Sequence, residues 1–103
     1  MADVPVFVIG NFEIENAERY HDYEKGFFPV LKRHGGTFYT YDDKAHSLEG
    51  GTLNGRVVLL SFPSEEAALG WYNDPGYQDL INIRRESTKL NFLNIVHGLP
   101  PRG

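Results

Sequence analysis

Three side chains in this chain have types suited to chemistry: Arg84, His34 and Glu49. Arginine presents a planar fork of donors that matches a carboxylate. Histidine moves a proton near neutral pH, and glutamate can accept one. Arg84 recurs with Tyr77, Leu80 and Ile81 at three- and four-residue steps. That spacing puts it on the apolar stripe of a helix, facing whatever the helix covers. It then reads either as an anion clamp or as a structural arginine that snorkels or pairs with Glu49. His34 precedes Gly35-Gly36, where a helix should end. It is either a general base or a side chain that meets the last carbonyls and the helix dipole. Glu49 stands beside Gly50-Gly51, as a proton acceptor or as the partner of Arg84. Arg85 is expected in solvent and Asp42-Asp43 in a turn.

The stretch WYNDPGYQDL, Trp71–Leu80, adds three aromatics around an Asp-Pro-Gly break. Asp74 caps a helix whose first residue is Pro75, the favoured place for proline. Trp71, Tyr72 and Tyr77, with Tyr41 from elsewhere, can wall a small apolar pocket with polar tips, as ligand sites require. They can equally be core residues of a bent helix.

Other chemistries find little support. No cysteine is present, which removes disulfides, thiolate catalysis and Cys-ligated metals. His21, His46 and His97 are scattered, and no His-x-x-x-His spacing points to a metal. The pieces HGG and EGG lack the spacing of a nucleotide-binding loop, so no cofactor is expected. No Gly-x-Ser-x-Gly elbow exists. A net charge of −4 gives no basic field for nucleic acid. No apolar run approaches the ~20 residues of a membrane helix. The first ten residues lack the charged start of a signal peptide, so a cytoplasmic location is expected.

These residues have to be positioned by a small α+β domain. With 103 residues, the chain fits one domain spanning 1–103. The 14% aromatic content makes a half-polar cavity easy to build. VPVFVIGNF at Val4–Phe12 reads as a strand. A helix follows over Ala17–His34, buried through Tyr20, Tyr23, Phe27 and Leu31. Pro29, helped by Gly26, predicts a kink near Lys25–Phe28. TFYTY at Thr37–Tyr41 is a second strand, with Phe38 and Thr40 facing one way and Thr37, Tyr39 and Tyr41 the other. A short extended piece is expected at His46–Glu49. RVVLLSF at Arg56–Phe62 is the strongest strand, and LNFLNIVHG at Leu90–Gly98 the last. Between them, Ser64 and Asp74 cap two helices. The order is βαββαβ, a ferredoxin-like arrangement with a four-stranded antiparallel sheet. Val6, Val8, Phe38, Val58, Leu60, Phe92 and Ile95 are too many apolar strand residues for one covered face. A bare apolar face marks an interface, so a homodimer through the sheet faces is expected.

As a set, YHDYEKGFFPVLKRHGG (Tyr20–Gly36), LEGG (Leu48–Gly51) and GRVVLLSFPSEEAALGWYNDPGYQDLINIRRES (Gly55–Ser87) resemble the family called domain of unknown function 1330. The resemblance runs from about Val6 to Gly98. It implies a dimeric α/β barrel, in which two ferredoxin-like sheets pack together, and it implies no agreed activity. Superfamily relatives include small monooxygenases, isomerising enzymes and stress-response proteins, and fold alone does not choose among them. Two functions therefore stand side by side. One is a dimer that binds or converts a small aromatic or carboxylate-bearing molecule, with Tyr41, Trp71, Tyr72, Tyr77 and Arg84 holding it and His34, Glu49 and Arg84 acting on it. The other is a non-catalytic sensing or stress-related dimer. Convergence of His34, Glu49 and Arg84 on one cavity would favour the enzyme.

Overall fold

The computed structural model describes residues 4–51 and 53–99. The elements are β1 (Val6–Ile14), α1 (Ala17–Arg33), β2 (Thr37–Asp42), β3 (Arg56–Phe62), α2 (Glu65–Asn73), α3 (Pro75–Ser87) and β4 (Thr88–His97). The strands form one antiparallel sheet in the order β2-β3-β1-β4. This is the ferredoxin-like βαββαβ plan, with the second crossover divided into α2 and α3. No helix among the described residues is long and apolar enough to cross a membrane.

Local chemistry sets the helix ends. The Asn16 carboxamide accepts a hydrogen bond from the Arg19 N–H at 3.0 Å and opens α1. At the other end, the Gly36 and Gly35 N–H groups donate to the Leu31 and Lys32 carbonyls, and Gly35 has φ +72°. That is the paired C-terminal bonding that a left-handed glycine permits. Helix α1 continues as a single element through Pro29. Pro29 is exposed, so water can reach the carbonyl its missing N–H leaves free. Gly26 serves a different purpose from the expected kink. A Cβ there would come within 2.7 Å of Leu80, so the glycine lets α1 and α3 approach closely. Ser64 caps α2 through the Ala67 N–H, and Asp74 caps α3 through the Gly76 N–H ahead of Pro75. His46–Glu49 forms no strand; it lies in the bends of the β2–β3 connection.

Register decides which strand residues meet the helices. Val8 opposes Leu60 on one side and Ile95 on the other, and Phe38 opposes Leu60. Directly opposed residues share a face. Val6, Val8, Phe38, Val58, Leu60 and Ile95 therefore all lie on the helix side, packed in or against the core with Tyr77 and Ile81 of α3. Of the seven residues the sequence suggests for two faces, only Phe92 lies on the other. The bare face is nevertheless apolar. It carries Phe7, Ile9, Val57, Leu59, Phe92 and Val96, none of which belongs to the core. Asn11 lies on the same side, buried. Its carboxamide donates to the Asn54 and Arg56 carbonyls and accepts from Asn91, which ties the start of β3 to the irregular step in the β1–β4 ladder.

Candidate functional site

A cavity of about 120 Å³ lies between the sheet, α1 and α3. Its walls are mostly rings: Phe27 and Phe28 from α1, Phe38 from β2, and Trp71 and Tyr77 from the α2–α3 bend, with Val58, Leu60 and Leu93 from the sheet. Trp71 and Tyr77 pack with ring centroids 4.3 Å apart, and both are almost wholly buried. The break in WYNDPGYQDL thus folds the two rings onto each other at the wall of a cavity.

Polar groups in this wall are few. The Tyr23 and Tyr77 hydroxyls share a hydrogen bond of 2.8 Å. Burial pushes the Tyr23 phenol well above its ordinary range. Burial also raises Tyr77, against the hydrogen bond from Tyr23 and the charge of Arg84, which pull it down. Tyr20 is pushed up to about 12 by burial, opposed by Arg56. All three phenols are neutral at physiological pH and can only donate or accept as hydroxyls.

Arg84 is the charge inside. It is 4% exposed, and no carboxylate lies within ion-pair distance of it among the described residues. Its Nε has no hydrogen-bond partner. Thr88 and Ser87 hydroxyls donate to the Arg84 carbonyl, which holds the end of α3 in place without touching the guanidinium. Arginine stays protonated in proteins and is seldom buried unpaired. A cation held this way is ready for an anion brought from outside.

The mouth of the cavity is closed differently. The Arg56 guanidinium sits over the Tyr41 ring, 4.2 Å from its centroid. Its Nε and one terminal nitrogen donate to both oxygens of Asp43 at 2.7 and 3.0 Å. That bidentate contact lowers Asp43 and raises Arg56. Glu24 approaches the same arginine at 3.6 Å. Arg56 is thus already neutralised, whereas Arg84 is not.

Tyr41 reaches this place by a route the alternation of β2 does not predict. The ladder between β2 and β3 shifts between Phe38 and Thr40. The irregularity absorbs one residue. Tyr41 therefore joins Phe38 on the helix side, with ring centroids 6.4 Å apart, while Tyr39 packs on Phe7 across the sheet. Tyr72 is half-buried and packs on Trp71 and Tyr77, yet it lines a neighbouring groove rather than this cavity.

His34, Glu49 and Arg84 are not brought together. His34 sits at the end of α1 with Nε2 2.8 Å from the Asp74 carboxylate, outside the cavity. This contact, with the Gly76 N–H and Arg33, lowers Asp74 to about 2. Glu49 is exposed in the β2–β3 connection, forms no ion pair among the described residues, and does not meet Arg84. A polar, glycine-flanked segment with no strand partner has nothing to carry it to α3. No group of three or more His, Cys, Asp or Glu side chains that could hold a metal exists among the described residues.

Tyr23, Phe27 and Arg56 belong to the site, although the sequence presents the first two as plain core stripe and the third as a strand terminus. The available signal is chemical. Tyr20 and Tyr23 on an apolar stripe bring hydroxyls that need partners once buried.

A family model described as a domain of unknown function (DUF1330) matches residues 5–99. No curated protein matches the chain. Among solved structures, a protein of unknown function from Rhodopseudomonas palustris is 21% identical with a TM-score of 0.80, over 96% of this chain and 85% of that one. A cofactor-independent oxygenase from Streptomyces nogalater is 14% identical with a TM-score of 0.60, over 99% and 97%. A dimeric ferredoxin-like protein of unknown function from Thermobifida fusca is 12% identical with a TM-score of 0.57, over 93% and 91%. At these identities the likeness is one of fold.

Proposed function

Because the chain belongs to the DUF1330 family, whose function is unknown, its activity has to be argued from its own cavity, and we propose that it binds a small aromatic or carboxylate-bearing molecule between sheet and helices. One observation carries the reading: Arg84 is buried beside an aromatic cavity with no counter-charge among the described residues. An acid group of the ligand supplies that charge. Trp71 and Tyr77 hold its apolar part, Tyr41 stands at the mouth, and Tyr72 borders the adjoining groove. Binding is favoured over turnover, because the only carboxylate lining the cavity among the described residues is Glu24, at the mouth beside Arg56. His34 and Glu49 lie elsewhere. Conversion without a cofactor, which the oxygenase likeness brings to mind, would therefore have to rely on Arg84 and the tyrosines.

The working unit is a homodimer in the cytoplasm, joined through the bare sheet faces, with no nucleic acid or membrane as partner. The apolar side chains on that face support this. Sedimentation at micromolar concentration should give twice the chain mass, and Leu59→Lys should give the monomer. A wild-type monomer would overturn the dimer.

A thermal-shift screen against small ring-bearing acids tests the pocket. A ligand at a hundred times its dissociation constant adds ~2.7 kcal/mol to native stability. The shift should vanish in Arg84→Met. No shift across the panel would overturn the binding reading and favour a non-catalytic module acting through protein partners.

A further inference from the structure

Arg84 has a second side. A wider opening of about 500 Å³ lies beyond it, between α2, α3 and β4. Trp71, Arg84, Leu90 and Leu93 line both spaces and form the partition between them. Two buried side-chain nitrogens among the described residues lack a hydrogen-bond partner, Trp71 Nε1 and Arg84 Nε. Both belong to that partition. Buried donors are rarely left unpaired, so two on one wall are an observation independent of the cavity itself.

The outer space differs in charge from the rest of the molecule. The chain carries a net charge of −4. Yet among the described residues the charged ones lining this groove are Arg84 and Arg85 alone, with no carboxylate. Arg85 is exposed and makes no ion pair among the described residues. The inner space differs in size. At about 120 Å³ it is somewhat smaller than a cavity of about 150 Å³ that holds benzene. It admits no more than one ring.

From this arrangement we propose that the ligand is an aryl-bearing dicarboxylate. Its single ring fills the inner cavity. Its first carboxylate sits at the partition and accepts from Arg84 and the Trp71 indole. Its second carboxylate lies in the outer groove against Arg85. The inference rests on the binding reading above and adds the second acid and its place.

A matched pair of probes tests it: 3-phenylpropanoate, and 2-benzylsuccinate, which is the same acid with a second carboxymethyl arm. Trp71 is the only tryptophan, so its fluorescence reports occupancy of the partition directly. At low salt, 2-benzylsuccinate should bind about fivefold tighter, the upper end of what an exposed ion pair provides. That advantage should shrink as salt rises. Arg85→Gln, an exposed substitution, should abolish it while leaving the affinity for 3-phenylpropanoate unchanged. Equal affinities, or an advantage that survives Arg85→Gln, would overturn the dicarboxylate assignment while the simpler acid still binds. Failure of both acids to bind would remove the underlying pocket reading and this inference with it.

Discussion

Replacing Arg84 with methionine should make the ligand-free protein more stable and unable to hold acids. Arg84 is 4% exposed, its Nε is unpaired, and no carboxylate among the described residues offsets its charge. Leaving a buried donor unsatisfied costs ~1–3 kcal/mol, and more for a charged group. Exchanging even a paired buried charge for well-packed apolar side chains is often neutral or gains ~1–4 kcal/mol, and Arg84 has no ion pair among the described residues to lose. Methionine keeps an unbranched stem that can follow the same path against Trp71 and Leu93. What it forgoes is the pull of Arg84 on the Tyr77 hydroxyl, by charge and by hydrogen bond, which takes back ~1 kcal/mol of that gain. The net expectation is a gain of ~1–3 kcal/mol. For a domain of this size each kcal/mol moves Tm by about 4–8 °C. Urea unfolding should show a higher midpoint with an unchanged slope, the mark of a stability change and not of a change in compactness. The same variant should lose the stabilisation by acids that the wild type shows. A loss of stability of ~1 kcal/mol or more would refute the reasoning, since it would make Arg84 a structural side chain with favourable contacts of its own.

The Tyr23–Tyr77 hydroxyl pair should behave as a unit: Tyr77→Phe alone strands a buried hydroxyl and should cost ~1–3 kcal/mol, while Tyr23→Phe with Tyr77→Phe should cost less than the two single changes summed, as a double-mutant cycle in urea would show. Tyr20, Tyr23 and Tyr77 all titrate above the ordinary tyrosine value of about 10. The folded state therefore holds these protons more tightly than the unfolded chain. Its stability should be intact below about pH 10 and fall as pH rises toward 12, with three of the six tyrosines ionising only as the protein unfolds in a phenolate absorbance titration. Asp74 has the opposite sign. Its carboxyl is lowered to about 2 by His34, the Gly76 N–H and Arg33, so its contribution is present above about pH 4 and lost as pH falls through 2. Asp74→Ala should unfold at a lower urea midpoint than wild type at pH 5, and the gap should close toward pH 2.

Much of the molecule is legible in the order of its residues, because the signals are local. The apolar spacing of α1, the caps at Asn16, Ser64 and Asp74, and the glycine pair after His34 all act within one turn of chain. The same logic places Arg84 on the inner stripe of α3, where the structure has it. The element order then leads to the ferredoxin-like sheet. What the sequence leaves open depends on pairings between distant segments. Asp74 meets His34 across 40 positions, so His34 ends at a helix junction and not in the cavity. Arg56 takes Asp43 and stacks on Tyr41 only because β2 and β3 align them. The shift in that ladder turns Tyr41 toward the helices, against its own alternation. Register likewise assigns nearly all the expected two-faced residues to one side and gives Phe7, Ile9, Val57 and Leu59 the other. Alternation says only that neighbours face apart. Which face is covered, and which arginine is buried without a carboxylate, follows from how the strands and helices pack together.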